Sequence, residues 1–163
     1  MPKNDLVKAI SVVVLLVLAG LLTWRSFFGA ATPGETAFFY DVSAGRLFAG
    51  PATAVPPIAG IDGGEPDGMR AMVVSTTGKP EDRDSWQVVY LERYSPELKR
   101  QMEEAQATGG SPSIGRGAAQ AHRFIRRLDE SAWHPMNSPE AETILGAWLT
   151  AGPGGGPATV CTP

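Results

Sequence analysis

His122 and His134 are the side chains in this 163-residue chain best suited to acid–base or metal chemistry, and Asp129 and Glu130 lie between them. An imidazole titrates near neutral pH, and a carboxylate beside it would orient it as a base or share a metal ion. The spacing argues against an assembled site, because neither His-x-x-x-His nor His-Glu-x-x-His occurs. His134-Pro135-Met136 has ligand types that suit copper, yet a methionine after Trp133 is better explained by packing. Asp62, Glu65 and Asp67 put three carboxylates in one Gly-rich stretch. They lack the alternating pattern and distal Glu by which a loop gathers the six or more oxygens that calcium takes. A solvated turn is the expected structure there, and Glu81-Asp82-Arg83-Asp84 is a second one.

Nucleophile motifs are missing as well. No Gly-x-Ser-x-Gly elbow or Ser-x-x-Lys set is present, and Ser113–Gly117 is only Gly-rich, without a phosphate-loop pattern. Cys161 is the one cysteine, which excludes an internal disulfide, a zinc site of several thiolates and a Cys-x-x-Cys-His haem attachment. It is expected to be free or to link to another chain. No cofactor and no metal are expected, and catalytic residues are not identified. Arg123, Arg126 and Arg127, with His122, form the one basic cluster, and Asp129 and Glu130 offset much of it. It would meet an anionic partner or a lipid phosphate, unless these are plain solvated arginines. With a net charge of -3 there is no basic surplus to hold nucleic acid.

The elements that must carry these residues begin with an apolar run. Lys3 and Lys8 precede Ala9–Leu22, which is almost unbroken, and Trp24, Phe27 and Phe28 follow at the place of an interfacial aromatic belt. Residues 9–28 are long enough for a transmembrane helix, with Leu15, Leu18, Trp24, Phe27 and Phe28 as anchor residues facing the lipid bilayer. The competing reading is a cleaved secretory signal, whose small-residue site would be Gly29-Ala30-Ala31. Bulky Trp24, Arg25, Phe27 and Phe28 separate that site from the run and favour an uncleaved signal anchor. Positive charge concentrated before residue 9 keeps the tail 1–8 in the cytoplasm. The rest is then extracytoplasmic, or periplasmic in a two-membrane bacterium. Beyond Ala30 the chain holds 11 basic and 16 acidic residues, a net of -5.

Residues 29–35 read as a stalk and 36–150 as one small domain. Gly (19) and Pro (14) are frequent, so short elements and many turns are expected. Thr36–Tyr40 and Arg46–Ala49 flank a loop from Asp41 to Gly45 and predict a hairpin. Gly50–Gly68 is a Pro-rich loop draped over the domain. Met69–Thr76 and Trp86–Tyr94 are strands, the second with Trp86, Val88 and Tyr90 on one inward face. Ser95-Pro96-Glu97 opens a surface helix that stops at Gly109-Gly110, and Ser138-Pro139-Glu140 opens another to about Leu149. Residues 118–129 fit helix or strand, with the second half leaning to strand. The tail 151–163 is expected to be flexible. The fold class is α+β: an N-terminal transmembrane helix, then a small antiparallel sheet with two helices.

Phe39-Tyr40-Asp41, Gly45-Arg46-Leu47-Phe48, Tyr94-Ser95-Pro96-Glu97 and Trp133 with Ser138-Pro139-Glu140 together resemble small single-pass bacterial membrane proteins with an exported α+β domain. The resemblance spans about residues 36–145 and implies an exported domain behind an anchor, with no activity attached. The expected function is a membrane-anchored accessory or interaction module of a larger envelope assembly, holding a protein partner through Phe38, Phe39, Phe48, Arg123, Arg126 and Arg127. The alternative is an exported enzyme that pairs a histidine with a carboxylate.

This topology has a direct test. Protease added to spheroplasts should digest the chain beyond Ala31 while the N-terminal segment stays with the membrane. A soluble product beginning at Thr32 would instead identify a cleaved signal.

Overall fold

A carboxylate organises the first hairpin of the described residues. In the computed structural model, which describes residues 35–163, strands β1 (Thr36–Asp41) and β2 (Arg46–Pro51) pair antiparallel, with Asp41 opposite Arg46. The Asp41 carboxylate accepts from the Ala44 N–H at 2.7 Å and the Ser43 hydroxyl at 3.0 Å, and Gly45 takes the left-handed φ of +66° that closes the loop. The hairpin expected from the Asp-to-Gly spacing is therefore present. The proposed transmembrane segment and its anchor residues Leu15, Leu18, Trp24, Phe27 and Phe28 lie outside the described residues. Among the described residues no helix is long and apolar enough to cross a membrane.

β1 pairs on its other side with β3 (Gly68–Ser75), and β3 with β4 (Trp86–Tyr94). β4 then pairs with β5 (Arg123–Arg126), and β5 with the two-residue β6 (His134–Pro135). The order is β2-β1-β3-β4-β5-β6, every pairing is antiparallel, and β7 (Thr159–Val160) joins β3 off this path. The described part is α+β.

Helix α1 (Pro96–Thr108) leaves β4 through its cap. The Ser95 hydroxyl accepts from the Leu98 N–H at 3.1 Å, Pro96 occupies the first turn, and Gly109 ends the helix at φ +68°. Leu98 is its one buried residue and its charges pair along the exposed side, so it lies on the surface as the sequence implies. Residues 118–129 divide between the two expected states: α2 (Arg116–Ala121) covers the first part and β5 the second. Strand wins where β4 offers an unpaired edge and where Ile125 can pack on Ala141 and Ile144. Helix α3 (Pro139–Gly146) starts on the Ser138 cap, and the chain then tightens into a 3₁₀ turn over Ala147–Thr150, short of the expected single helix. There are three helices here where two were expected.

The two faces of the sheet are covered differently. Phe38, Ala71, Val73, Leu91 and Cys161 form one core, with Tyr40, Trp86, Val88 and Trp133 packed around it. The opposite face carries Val74, Val89 and Ala158 under Trp148 and Ala151, and further along Ile125 under α3. Phe39 also points away from Phe38 and is fully buried against Phe48 at 5.8 Å, close to the backbone of Gly50. The Arg70 guanidinium lies 5.6 Å from the Phe39 ring and donates to the Ala52 and Ala54 carbonyls at 2.6 and 2.8 Å, which pins the Pro-rich loop over it.

Two expectations need correction. Trp86, Val88 and Tyr90 do not share a face. Val88 is opposite Val73 and Tyr90 opposite Met72, so Val89 is one residue too many and a bulge turns Tyr90 to the other side. Nor is the tail 151–163 free. β1 covers only Gly68–Arg70 of β3, and Thr159–Val160 fill the edge at Val74–Ser75, with the Cys161 N–H donating to the Val73 carbonyl at 2.9 Å. Unpaired strand groups at a buried edge are costly, and the tail supplies their partners.

Leu91 is fully buried at the sheet centre, whereas Trp86 is half-buried, edge-on to Phe38 at 5.1 Å. Leu91→Ala should lower the unfolding free energy by about 2–5 kcal/mol in urea melts, more than Trp86→Ala does. The reverse ranking would make Trp86 the core anchor.

Candidate functional site

The histidines are held in structural contacts. His122 ends α2, and its Nδ1 lies 3.0 Å from the Ser95 hydroxyl while its carbonyl accepts the Ser95 N–H at 2.8 Å. Ser95 Oγ also accepts from the Leu98 N–H, so the one hydroxyl caps α1 and meets His122. The pair ties the start of α1 to the end of α2. His134 in β6 brings Nε2 to 3.6 Å from Glu130 Oε2, while Arg127 reaches the other oxygen at 3.7 Å. Those separations are longer than a hydrogen bond. The His–carboxylate approach imagined from sequence thus involves His134 and Glu130, but among the described residues neither histidine lines the cavities of about 620, 540 and 350 Å³. Among the described residues no three His, Cys, Asp or Glu converge on a point where a metal could sit.

The acidic loop serves the hairpin. The Ile61 N–H donates to Asp41 at 2.7 Å, and the Ser43 N–H donates to Asp67 at 3.1 Å. Asp41 is buried, and the Ala44 and Ile61 amides hold its carboxyl below the ordinary aspartate range. Asp62, Glu65 and Asp67 line a cavity of about 190 Å³ with it. The carboxylates foreseen as a solvated turn are therefore partly a lock between two loops.

The six residues assigned to partner contact separate by burial. Phe38 and Phe39 belong to the interior, and Phe48 is half-buried beside Phe39, so no exposed patch of these three exists. Aromatic side chains at the sheet centre yield more stability buried than exposed. Arg123 reaches one oxygen of the buried Glu92 with Nε at 2.7 Å and Nη2 at 2.6 Å. Arg126 and Arg93 lie 5.0 and 4.5 Å from the ring of Trp133. Arg126 also donates to the carbonyls of Arg127, Leu128 and Glu130, which folds the turn after β5. Of the cluster, Arg127 and Arg123 each border one of the two larger concavities, and Arg126 borders neither.

The concavity at Arg127 is a groove of about 620 Å³, lined by Trp86, Gln87, Val88, Val89, Arg127, Leu128, Asp129, Ala147 and Ala151. A second cleft of about 540 Å³ lies between α1 and α2, over Tyr94 and Arg123. Sequence reasoning did not find the groove. Its one trace there is a mismatch in length: the apolar stretch Phe124–Ile125 faces the nine-residue run of β4.

Asp41 generates a pH test. Its folded pKa is depressed, so its stabilising contribution is present above the unfolded value of about 3.9 and is lost as pH falls through the lower folded value. Urea melts at pH 7 should therefore show Asp41→Asn less stable than wild type, with the gap narrowing toward pH 3. A gap independent of pH would mean that the carboxylate charge is not what the loop amides recognise.

No protein family, curated protein or solved structure matches this chain.

Proposed function

We propose that the chain is a membrane-anchored extracytoplasmic interaction module, an accessory part of a larger envelope assembly. Residues 9–28 would hold it in the bilayer with the N-terminus in the cytoplasm, and the α+β domain would meet a protein partner outside. The apolar run behind Lys3 and Lys8 supports the anchor, and the net charge of -5 beyond Ala30 suits a soluble face that does not lie on anionic lipid. One observation carries the binding role. Among the described residues an open groove of about 620 Å³ is walled mainly by apolar side chains, while Ser95, His122 and the arginines of β5 are engaged in holding elements together. Groups already committed to structure make poor reagents, and an apolar groove makes a docking surface.

The 3.6 Å approach of His134 to Glu130 favours a second reading, an exported enzyme that uses this pair. The two readings part on substitution. His134→Gln should leave melting and cellular phenotype nearly unchanged, because replacements at such positions usually stay within about ±0.5 kcal/mol. His122→Gln should cost about 0.5–1.5 kcal/mol through the lost Ser95 contact, again without a specific loss of activity. A His134→Gln protein that melts normally and has lost its phenotype or a bound metal would establish the enzyme reading.

A further inference from the structure

β4 is paired along most of its length on one side only. Toward β3 its ladder runs from Trp86 to Glu92, whereas toward β5 it covers only Leu91–Tyr94. After Arg126 the chain leaves the sheet, bent by the Arg126 guanidinium bonding to the carbonyls of the following turn. The position that a longer β5 would occupy beside Trp86–Val89 is the 620 Å³ groove. Among the described residues, the backbone of Gln87, Val88 and Val89 makes no hydrogen bond other than those of its pairing with β3. Exposed strand edges of this kind are templates for another strand.

We infer that the Trp86–Val89 edge is a strand-addition site for a short extended segment of a partner protein, with uncharged, apolar side chains at alternate positions. The inference rests on the interaction-module reading and names the chemistry of its partner. Four residues of edge span about 13 Å, so the ordered part of the guest is about four to five residues long. Side chains of a strand alternate between faces. On one face the guest would meet Trp86 and Val88, and on the other Val89, Ala147 and Ala151. Both sets are apolar, and the second is small enough to admit branched side chains. The rim carries Arg127 and Asp129, one charge of each sign, and Arg127 is already near Glu130 at 3.7 Å. Nothing there selects a charged guest. A second copy of the chain fits poorly, because each copy's edge is bracketed by the Arg127–Asp129 turn and Ala147–Ala151. Those walls would collide before two such edges came within the roughly 4.8 Å of a ladder. The bulge at Val88–Val89 adds local twist and further disfavours a long flat partner.

The test uses the full chain in detergent micelles and a displayed library of random heptapeptides, followed by amide exchange with the best synthetic binder. The selected peptides should alternate apolar residues, and should slow exchange within Trp86–Val89 by about tenfold or more. N-methylation of a central peptide amide should weaken binding about tenfold or more, since main-chain bonds carry this mode of recognition. Leu128→Asp, at an exposed rim position, should weaken binding comparably while melting is unchanged. Absence of binders, or binding indifferent to N-methylation, overturns the inference. Protection confined to the cleft between α1 and α2 also overturns it, while the interaction-module reading stands. Concentration-dependent protection of Trp86–Val89 without peptide would make a second copy the occupant. Concentration-independent protection would mean that the chain's own residues fill the groove, and either result removes the proposed guest. The interaction-module reading itself falls by a separate result, the loss of phenotype or metal in a stable His134 variant.

Discussion

The backbone of β3 and β4 needs partners, and that need arranges the rest of the domain. These are the two longest strands, and they pair with each other over most of their length. Their outer edges then demand hydrogen bonds from whatever the chain can bring. β1 supplies three residues to one end of β3, and the C-terminal β7 supplies two to the other. The Pro56 carbonyl accepts from Tyr94, and Ile58 pairs with Gly68, so even the Pro-rich loop contributes to these ladders. β5 serves only the far end of β4, and the remaining gap is the groove.

A single inserted residue changes what the sheet shows to each side. Strand side chains alternate strictly, so one extra residue reverses every position after it. Val89 is that residue. In a regular strand Tyr90 would share the face of Val88, Phe38 and Val73; with the bulge Tyr90 joins Met72 and Ile125 under α3. Leu91 is thereby returned to the first core, where it is fully buried. Both faces become apolar as a result, which is why one side needs α3 and the 3₁₀ turn as cover, and the other needs the bulk of Trp86 and Trp133.

Polar side chains in this domain act mainly as fasteners. Asp41 joins two loops through backbone amides, Arg70 holds loop carbonyls over Phe39, and Glu92 with Arg123 links β4 to β5 on the helix side. Glu92 is buried, so removing Arg123 alone would strand a charge in a low-dielectric setting; such a pair constrains register more surely than it adds net stability. The stack of Arg93, Trp133 and Arg126 uses flat guanidinium groups in place of a covering helix. A domain of this size has few apolar residues for cover, and long arginine stems extend it.

Local signals were readable from the residues themselves. Ser95-Pro96-Glu97 and Ser138-Pro139-Glu140 start their helices, Gly109 stops one, and Asp41 with Gly45 closes the hairpin, because each effect is produced by groups within a few positions of one another. The β-rich runs at 69–76 and 86–94 likewise became β3 and β4. Tertiary structure alone decided the bulge at Val89, the docking of Thr159–Val160, the burial of Phe38 and Phe39 and the early end of β5. Each of those depends on a backbone partner or a packing neighbour far away in sequence. The flexible appearance of a Gly/Pro tail carries no record of the unpaired edge waiting at Val73–Ser75. The arginines of β5 looked like a charged surface because their composition is local, while their engagement by Glu92, Trp133 and three carbonyls is not. The groove at Trp86–Val89 was hidden for the same reason: it is made by where β5 stops, and a strand stops where its neighbours no longer hold it.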